Sequence, residues 1–184
     1  MQLPTVVIQL EQFTSSTPIY NGRIIKVKVD RVVTGKGKEA TREIVEHRGA
    51  AAIVPLLNDD QVILVTQYRY AIASNLLEVP AGTLEPGEPP DLCARRELEE
   101  ETGYKCNELT KIMELYVTPG YGTEKIHIFL ARGLVRTTMK NEEDEDINVQ
   151  TMPIEKAMEK VRRGEITDAK SICALYRTAE LLHS

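Results

Sequence analysis

The stretch Gly82-Thr83-Leu84-Glu85-Pro86-Gly87-Glu88-Pro89-Pro90-Asp91-Leu92-Cys93-Ala94-Arg95-Arg96-Glu97-Leu98-Glu99-Glu100-Glu101-Thr102-Gly103-Tyr104 joins a Gly/Pro turn to a short helix that crowds carboxylates onto one side. At about 100° per residue, Glu97, Glu100 and Glu101 share one helical face through i,i+3 and i,i+4 spacing. Like charges so placed repel unless something cationic sits among them. Hard oxygen ligands of this kind suit Mg²⁺ or Mn²⁺ rather than zinc. Pro89 and Pro90 fit a helix's lead-in and first turn, and Gly103 stands where a helix end favours a left-handed residue. Ala94 and Leu98, i,i+4 neighbours beside the acidic face, are expected to pack inward and hold the carboxylates at a rim. Arg96, four residues before Glu100, can orient one carboxylate while others bind metal.

Outward from this segment, the order Gly, five residues, Glu, seven residues, Arg-Glu-apolar-any-Glu-Glu-any-Gly resembles the Nudix hydrolase signature, with Tyr104 where an aliphatic residue is more usual. A lone acidic helix is weak evidence, because most are solvated faces; the full pattern of Gly, Arg and Glu positions is specific. The resemblance implies an α/β fold, a Nudix-type α/β/α sandwich with a mixed sheet, plus a small N-terminal β-rich segment. It implies metal ligation by Glu97, Glu101 and the backbone carbonyl of Ala81, which lies in the lead-in Val79-Pro80-Ala81-Gly82, and catalytic roles for Glu100 and Arg96.

Composition agrees with an enzyme domain and a small appendage. The 184 residues, 42% hydrophobic and 28% charged, are ordinary globular composition and enough to bury a sizeable core. A net charge of −5 offers no bulk attraction to nucleic acid or to an anionic membrane, so an anionic substrate must be held by local arginines and metal ions. No apolar run reaches roughly 18 residues, and Met1-Gln2-Leu3-Pro4 lacks the basic start of a signal peptide. The odd, widely spaced Cys93, Cys106 and Cys173 fit a reducing compartment, and a cytoplasmic protein is expected.

Residues from about Ile19 to Val45 read as strands around the turn Thr34-Gly35-Lys36-Gly37-Lys38, too small a piece to bury a core alone. Such a piece is expected to pack on its own catalytic domain or to pair with a second copy; the Nudix resemblance implies that residues 1–46 are a dimerisation and substrate segment and 47–184 the hydrolase domain. Ala51 to Leu57, the turn Asn58-Asp59-Asp60 and Gln61 to Val65 read as a hairpin apolar on both faces, at the centre of a helix-covered sheet. Strands are expected at Lys111–Val117 and Lys125–Ala131. Helices are expected at Ile154–Arg163, ended by Gly164, and at about Asp168–Leu182, capped by Thr167 or Asp168.

The Nudix resemblance extends to the ADP-ribose pyrophosphatase branch. There a glutamate from a loop after the box acts on the attacking water. By position before Ile147-Asn148-Val149 this matches Glu143 as the base and Glu145 as a metal ligand, although an acidic run such as Glu142 to Asp146 is equally the composition of a solvated loop. Pro119, fifteen residues past Tyr104, resembles the downstream proline of ADP-ribose hydrolases. Arg69 can grip phosphate through its guanidinium fork, and Tyr68 or Tyr20 can stack on a base, Tyr68 being as readily a core aromatic. Arg42, Glu43 and Glu46 lie on N-terminal strands, which in this branch are often exchanged across a homodimer to complete the adenosine pocket. His47 and His127 read as structural. The implied reaction is Mg²⁺-dependent hydrolysis of the pyrophosphate of a small nucleotide sugar, ADP-ribose, to AMP and ribose 5-phosphate. The alternatives are another nucleoside diphosphate sugar, a dinucleotide, or a non-catalytic module that binds ADP-ribose as a signal.

Overall fold

The computed structural model describes residues 10–58, 60–137 and 147–183. The elements run β1 (Gln12–Asn21), β2 (Ile25–Val33), β3 (Glu39–His47), β4 (Ala50–Pro55), β5 (Gln61–Arg69), a 3₁₀ turn (Tyr70–Ile72), β6 (Ser74–Glu78), β7 (Ala81–Thr83), α1 (Pro90–Thr102), β8 (Tyr104–Tyr116), β9 (Lys125–Arg136), β10 (Ile147–Pro153), α2 (Ile154–Arg162) and α3 (Ala169–Leu182). They fall into two units, Met1–His47 with Thr118–Glu124, and Arg48–Val117 with Lys125–Ser184. Among the described residues no helix is long and apolar enough to cross a membrane.

The first unit is an antiparallel sheet in the order β1-β2-β3. Its β2–β3 turn is the one that the Gly-Lys-Gly run predicts: Thr34 N donates to Lys38 O and Gly37 N to Thr34 O, with Gly37 at φ +75°, where a side chain would be strained. β1 begins at Gln12, well before the expected Ile19. Thr14-Ser15-Ser16-Thr17 carries no apolar alternation to betray a strand, and Ser15, Ser16 and Thr17 pair with Arg31, Asp30 and Val29 of β2 in the antiparallel ladder. Along β3, Val45 exchanges backbone hydrogen bonds with Tyr121 O and Thr123 N, which attaches Thr118–Glu124 to this unit.

In the second unit, β4 is buried along its whole length, and its alternate residues enter two different cores. Ala51 and Ile53, with Phe129 and Ala131 of β9, pack on Cys93, Ala94 and Leu98 of α1. Ala50, Ala52 and Val54, with Ile126, Ile128 and Leu130, pack on Val62, Leu64 and Met152 and on Ile154, Met158, Ala174 and Leu175 of the C-terminal helices. A strand covered on both faces has no polar side to alternate with, which is why Ala51 to Leu57 reads as a continuous apolar run. The sheet order is β7-β4-β9-β8, with β4 parallel to β9 and the other pairs antiparallel. This is the mixed sheet expected between helices.

The expected β4–β5 hairpin does not form. Among the described residues the two strands are linked by the Leu56–Val62 bridge and by Leu57 N donating to Gln61 O, and then diverge, β5 joining an antiparallel sheet in the order β10-β5-β6. The edge of β4 that β5 would take is occupied by the short β7, through Ala50–Thr83, Ala51–Gly82 and Ala52–Ala81. The C-terminal helices match expectation closely. Asp168 caps α3 by accepting from Ser171 N, and Gly164, at φ +70°, follows α2. β6, β7 and β10 carry no signal strong enough to be read beforehand.

Leu98 is fully buried between α1 and the sheet. Leu98→Ala is expected to lower the unfolding free energy by about 2–5 kcal/mol through lost burial and an unfilled cavity, measurable by urea unfolding followed by far-ultraviolet circular dichroism.

Candidate active site

Helix α1 starts at Pro90, after Pro89 in extended conformation, and stops at Gly103, whose φ of 71° is left-handed and whose N–H donates to Glu99 O. Both ends follow from residue type: proline needs no N–H in a first turn, and glycine has no Cβ to strain a left-handed terminus. With Ala94 and Leu98 turned into the core, the acidic face is aimed at β7 and the loop before it. Glu101 is not at a rim. It is only 3% exposed, and its Oε2 accepts from Ala81 N at 3.0 Å. Glu97 and Glu100 are half-buried. The Glu97 carboxylate lies so close to Gly82 that an added Cβ would stand 1.8 Å from its Oε1. A side chain at 82 would therefore displace the Glu97 carboxylate, although the backbone of Gly82 is in an ordinary region.

The cation among the carboxylates is Arg96. Its Nε and Nη2 each donate to Glu88 at 3.0 Å, and its Nη1 donates to Glu97 at 2.6 Å and to Glu100 at 3.0 Å. The guanidinium fork therefore closes on the turn preceding the helix, beyond the single Glu100 pair read from sequence. Arg96 holds the Glu88 carboxyl below its usual range. Burial, with Glu97 and Glu88 adding to it, pushes the nearby Cys93 thiol up to about 12, so this cysteine stays protonated and inert.

Among the described residues, no three Asp, Glu, His or Cys side chains converge to hold an ion by themselves, as Glu97 and Glu100 lean on Arg96. The donor set nevertheless fits a hard divalent ion. Glu97 fills the cradle that a Cβ at 82 would occupy, and Glu101 is bonded to the peptide of Ala81, so oxygen donors stand on both sides of this backbone. Glu143 and Glu145 lie outside the described residues.

Arg69 has a partner that its sequence context does not announce. Its Nε and Nη2 donate to the two oxygens of Glu78 at 2.9 and 2.8 Å, and Lys170 of α3 donates to the same carboxylate. Glu78 is 2% exposed. Burial pushes its carboxyl up, yet the hydrogen bonds and charges of Arg69 and Lys170 outweigh this and leave it below the ordinary value. The guanidinium fork expected to grip phosphate thus spends two of its nitrogens on the protein. Tyr68 is 53% exposed, so it is not a core aromatic.

Tyr20, Arg42, Glu46 and Pro119 belong to the first unit. Tyr20 is 57% exposed, and its ring lies over Gly22, where an added Cβ would meet it at 2.5 Å. Arg42 is paired with Glu11, and Glu46 with Lys28 at 2.6 Å. Pro119 sits in a turn in which Tyr121 N and Gly122 N both donate to Thr118 O. His47 lies 3.7 Å from Glu124, and burial, followed by Lys111, lowers the pKa of His127. Sequence reasoning missed Glu78, Lys170 and Ser171, and it matched Glu88 to the signature without foreseeing its bonds to Arg96. For Glu78 a signal existed: a single charge inside the apolar run Leu76-Leu77-Glu78-Val79 requires a buried partner.

The NUDIX domain family matches residues 46–175. The chain is 40% identical over 167 residues to an ADP-ribose pyrophosphatase of Bacillus subtilis (strain 168), covering 90% of each. It is 35% identical over 167 residues to a methanol dehydrogenase activator of Bacillus methanolicus, again covering 90% of each. A crystal structure of an ADP compounds hydrolase superposes with a TM-score of 0.86 at 26% identity, over 97% of both chains.

Because its folded-state pKa is depressed, Glu78 contributes stability that is present above the ordinary carboxylate value of 4.5 and is lost as the pH falls through the folded value. The Glu78 share of stability, read as the difference in melting temperature between the parent and Glu78→Gln, is expected to be level above 4.5 and to decline below it. Glu78→Gln is expected to melt lower than the parent at neutral pH, because Arg69 and Lys170 lose their counter-charge, and to show a shallower acid decline.

Proposed function

The chain belongs to the Nudix family, and from that premise we propose that it hydrolyses the pyrophosphate bond of ADP-ribose to AMP and ribose 5-phosphate. The observation that carries this reading is the seating of the signature helix on β7: Glu101 bonds the Ala81 peptide while Glu97 fills the space over Gly82. The likeness to an ADP-ribose pyrophosphatase over nine-tenths of both chains supports the choice of substrate.

Glu97, Glu101, Glu145 and the Ala81 carbonyl would hold Mg²⁺, with Mn²⁺ as the alternative. A divalent ion there would offset the charge of the pyrophosphate oxygens and ease deprotonation of the attacking water. Arg96 keeps Glu97 and Glu100 in register and prevents their mutual repulsion from splaying the face. Glu143 takes the proton of the attacking water. The water oxygen bonds to one phosphorus, the bond from that phosphorus to the bridging oxygen breaks, and the bridging oxygen leaves with the other phosphate. Arg69 contributes positive charge toward the phosphates while its other nitrogens hold Glu78. Tyr68 and Tyr20 offer exposed rings to a base, and Arg42, Glu46 and Pro119 complete the substrate set.

Residues 1–46 are proposed to serve dimerisation and substrate binding, and 47–184 hydrolysis. Every residue of β1 is exposed, including Phe13, Ile19 and Tyr20, which supports a homodimer formed through this segment. Cys93, Cys106 and Cys173 are free thiols, in keeping with a cytoplasmic location.

Incubated with ADP-ribose and Mg²⁺, the protein is expected to yield AMP and ribose 5-phosphate without orthophosphate, resolved by product chromatography. In ¹⁸O-labelled water the label should enter AMP alone. Faster turnover of another nucleoside diphosphate sugar would keep the chemistry and change the substrate, whereas tight binding without turnover would make the chain a regulatory module.

Glu101→Gln is expected to abolish most turnover while leaving the metal-free protein folded. Glu143→Gln should lower kcat by about 10²–10⁴-fold with little change in KM, and Glu142→Gln should be mild. Equal, small effects at both loop positions would remove Glu143 from the mechanism.

A further inference from the structure

Three consecutive residues, the two-residue loop entering β7 and the first residue of that strand, are each fixed by a different element of the second unit. Val79 N donates to Ser171 Oγ of α3 at 2.8 Å, Pro80 O accepts from Ile53 N of β4 at 2.9 Å, and Ala81 N donates to Glu101 of α1 at 3.0 Å. Two of these anchors lie in or beside the signature region and the sheet centre. The third comes from a helix 92 residues further along the chain.

Ser171 is built to serve as an acceptor. It is fully buried, and its hydroxyl donates to Asp168 Oδ2 at 2.5 Å, which commits its one proton and turns a lone pair toward Val79 N. The same Oδ2 accepts from Ser171 N at 2.9 Å and from Lys170 Nζ at 3.0 Å, and Lys170 reaches onward to Glu78, the residue preceding Val79. The first turn of α3 therefore grips both Glu78 and Val79. A side-chain ligand can reach its ion by changing rotamer, but a backbone carbonyl moves only with its own peptide. The placing of Ala81's carbonyl thus depends on what holds residues 79 to 81.

We propose that Ser171, oriented by Asp168 and supported by Lys170, is a positioning residue of the hydrolytic centre: it sets the Val79–Ala81 backbone so that the Ala81 carbonyl and the Glu101 carboxylate face one divalent ion. This rests on the metal-site reading above. Groups that orient metal ligands without touching the metal commonly change affinity by about 10–100-fold when removed.

The test is Mn²⁺ titration of the whole protein without substrate, with free Mn²⁺ read by electron paramagnetic resonance. Compared are the parent, Ser171→Ala, Asp168→Asn and Ala174→Gly, the last a buried position of the same helix with no polar link to the loop. Ser171→Ala is expected to raise the Mn²⁺ Kd about 10-fold, and Asp168→Asn to raise it less. Ala174→Gly should lower the melting temperature and leave the Kd unchanged. Parent-like affinity in Ser171→Ala overturns the proposal, as does an equal loss in Ala174→Gly, which would reduce the effect to general destabilisation. Should Ser171→Ala fail to fold, unchanged affinity in Asp168→Asn overturns it. A parent that binds no Mn²⁺ removes the metal-site reading and this proposal together, whereas a parent that binds beside an unaffected Ser171→Ala removes only the proposal.

Discussion

The arrangement depends on gathering several carboxylates at one place without letting them repel the helix apart. Glu88, Glu97 and Glu100 converge on the guanidinium of Arg96, and Glu101 is buried against the peptide of Ala81. Charges brought close together out of water are tolerable only when paired and hydrogen-bonded. Arg96 meets that condition with a planar fork that can hold Glu88 with two nitrogens while a third nitrogen serves Glu97 and Glu100, which a lysine's single ammonium could not do. The Gly/Pro turn, the helix and β7 are thereby tied into one piece before any substrate arrives.

A second constraint is the burial of β4 on both faces. Its odd and even side chains belong to different cores, one against α1 and one against the C-terminal helices and the β5 sheet. α1 and α3 are therefore held on opposite sides of one strand, and β7, paired to that strand's edge, lies where both can reach it. Ser171 from one side and Glu101 from the other bond the same short loop. The two-sided core converts a local acidic motif into a site whose geometry is set from three directions.

Near Glu78 the same logic recurs with opposite emphasis. A carboxylate almost wholly removed from water is kept charged by Arg69 and Lys170, so the cations nearest the loop have structural duties as well as any they perform toward an anionic ligand. The bonds of Arg69 to Glu78 occupy two of its nitrogens and limit how far its guanidinium could turn toward any anionic ligand.

Much of this was legible in the residues alone, because it depends on short spacings. The bounds of α1 follow from Pro90 and Gly103, its acidic face from the positions of Glu97, Glu100 and Glu101, and the cap of α3 was narrowed to Thr167 or Asp168, of which the structure uses Asp168, all local consequences of helix periodicity and terminal hydrogen bonding. The apolar run of β4 likewise announced a strand covered on both sides. What the sequence could not carry were pairings between residues far apart in the chain: β7 taking the edge of β4 that a hairpin with β5 would have used, Lys170 reaching Glu78, and Ser171 receiving Val79 N. The inward burial of Glu101 was hidden for the same reason, since periodicity places a side chain on a face while only the packed neighbours decide how far that face is removed from water. Local geometry is determined by consecutive residues and is written in them; the partner of a buried polar group is decided by which distant segment the closed core brings within about 3 Å.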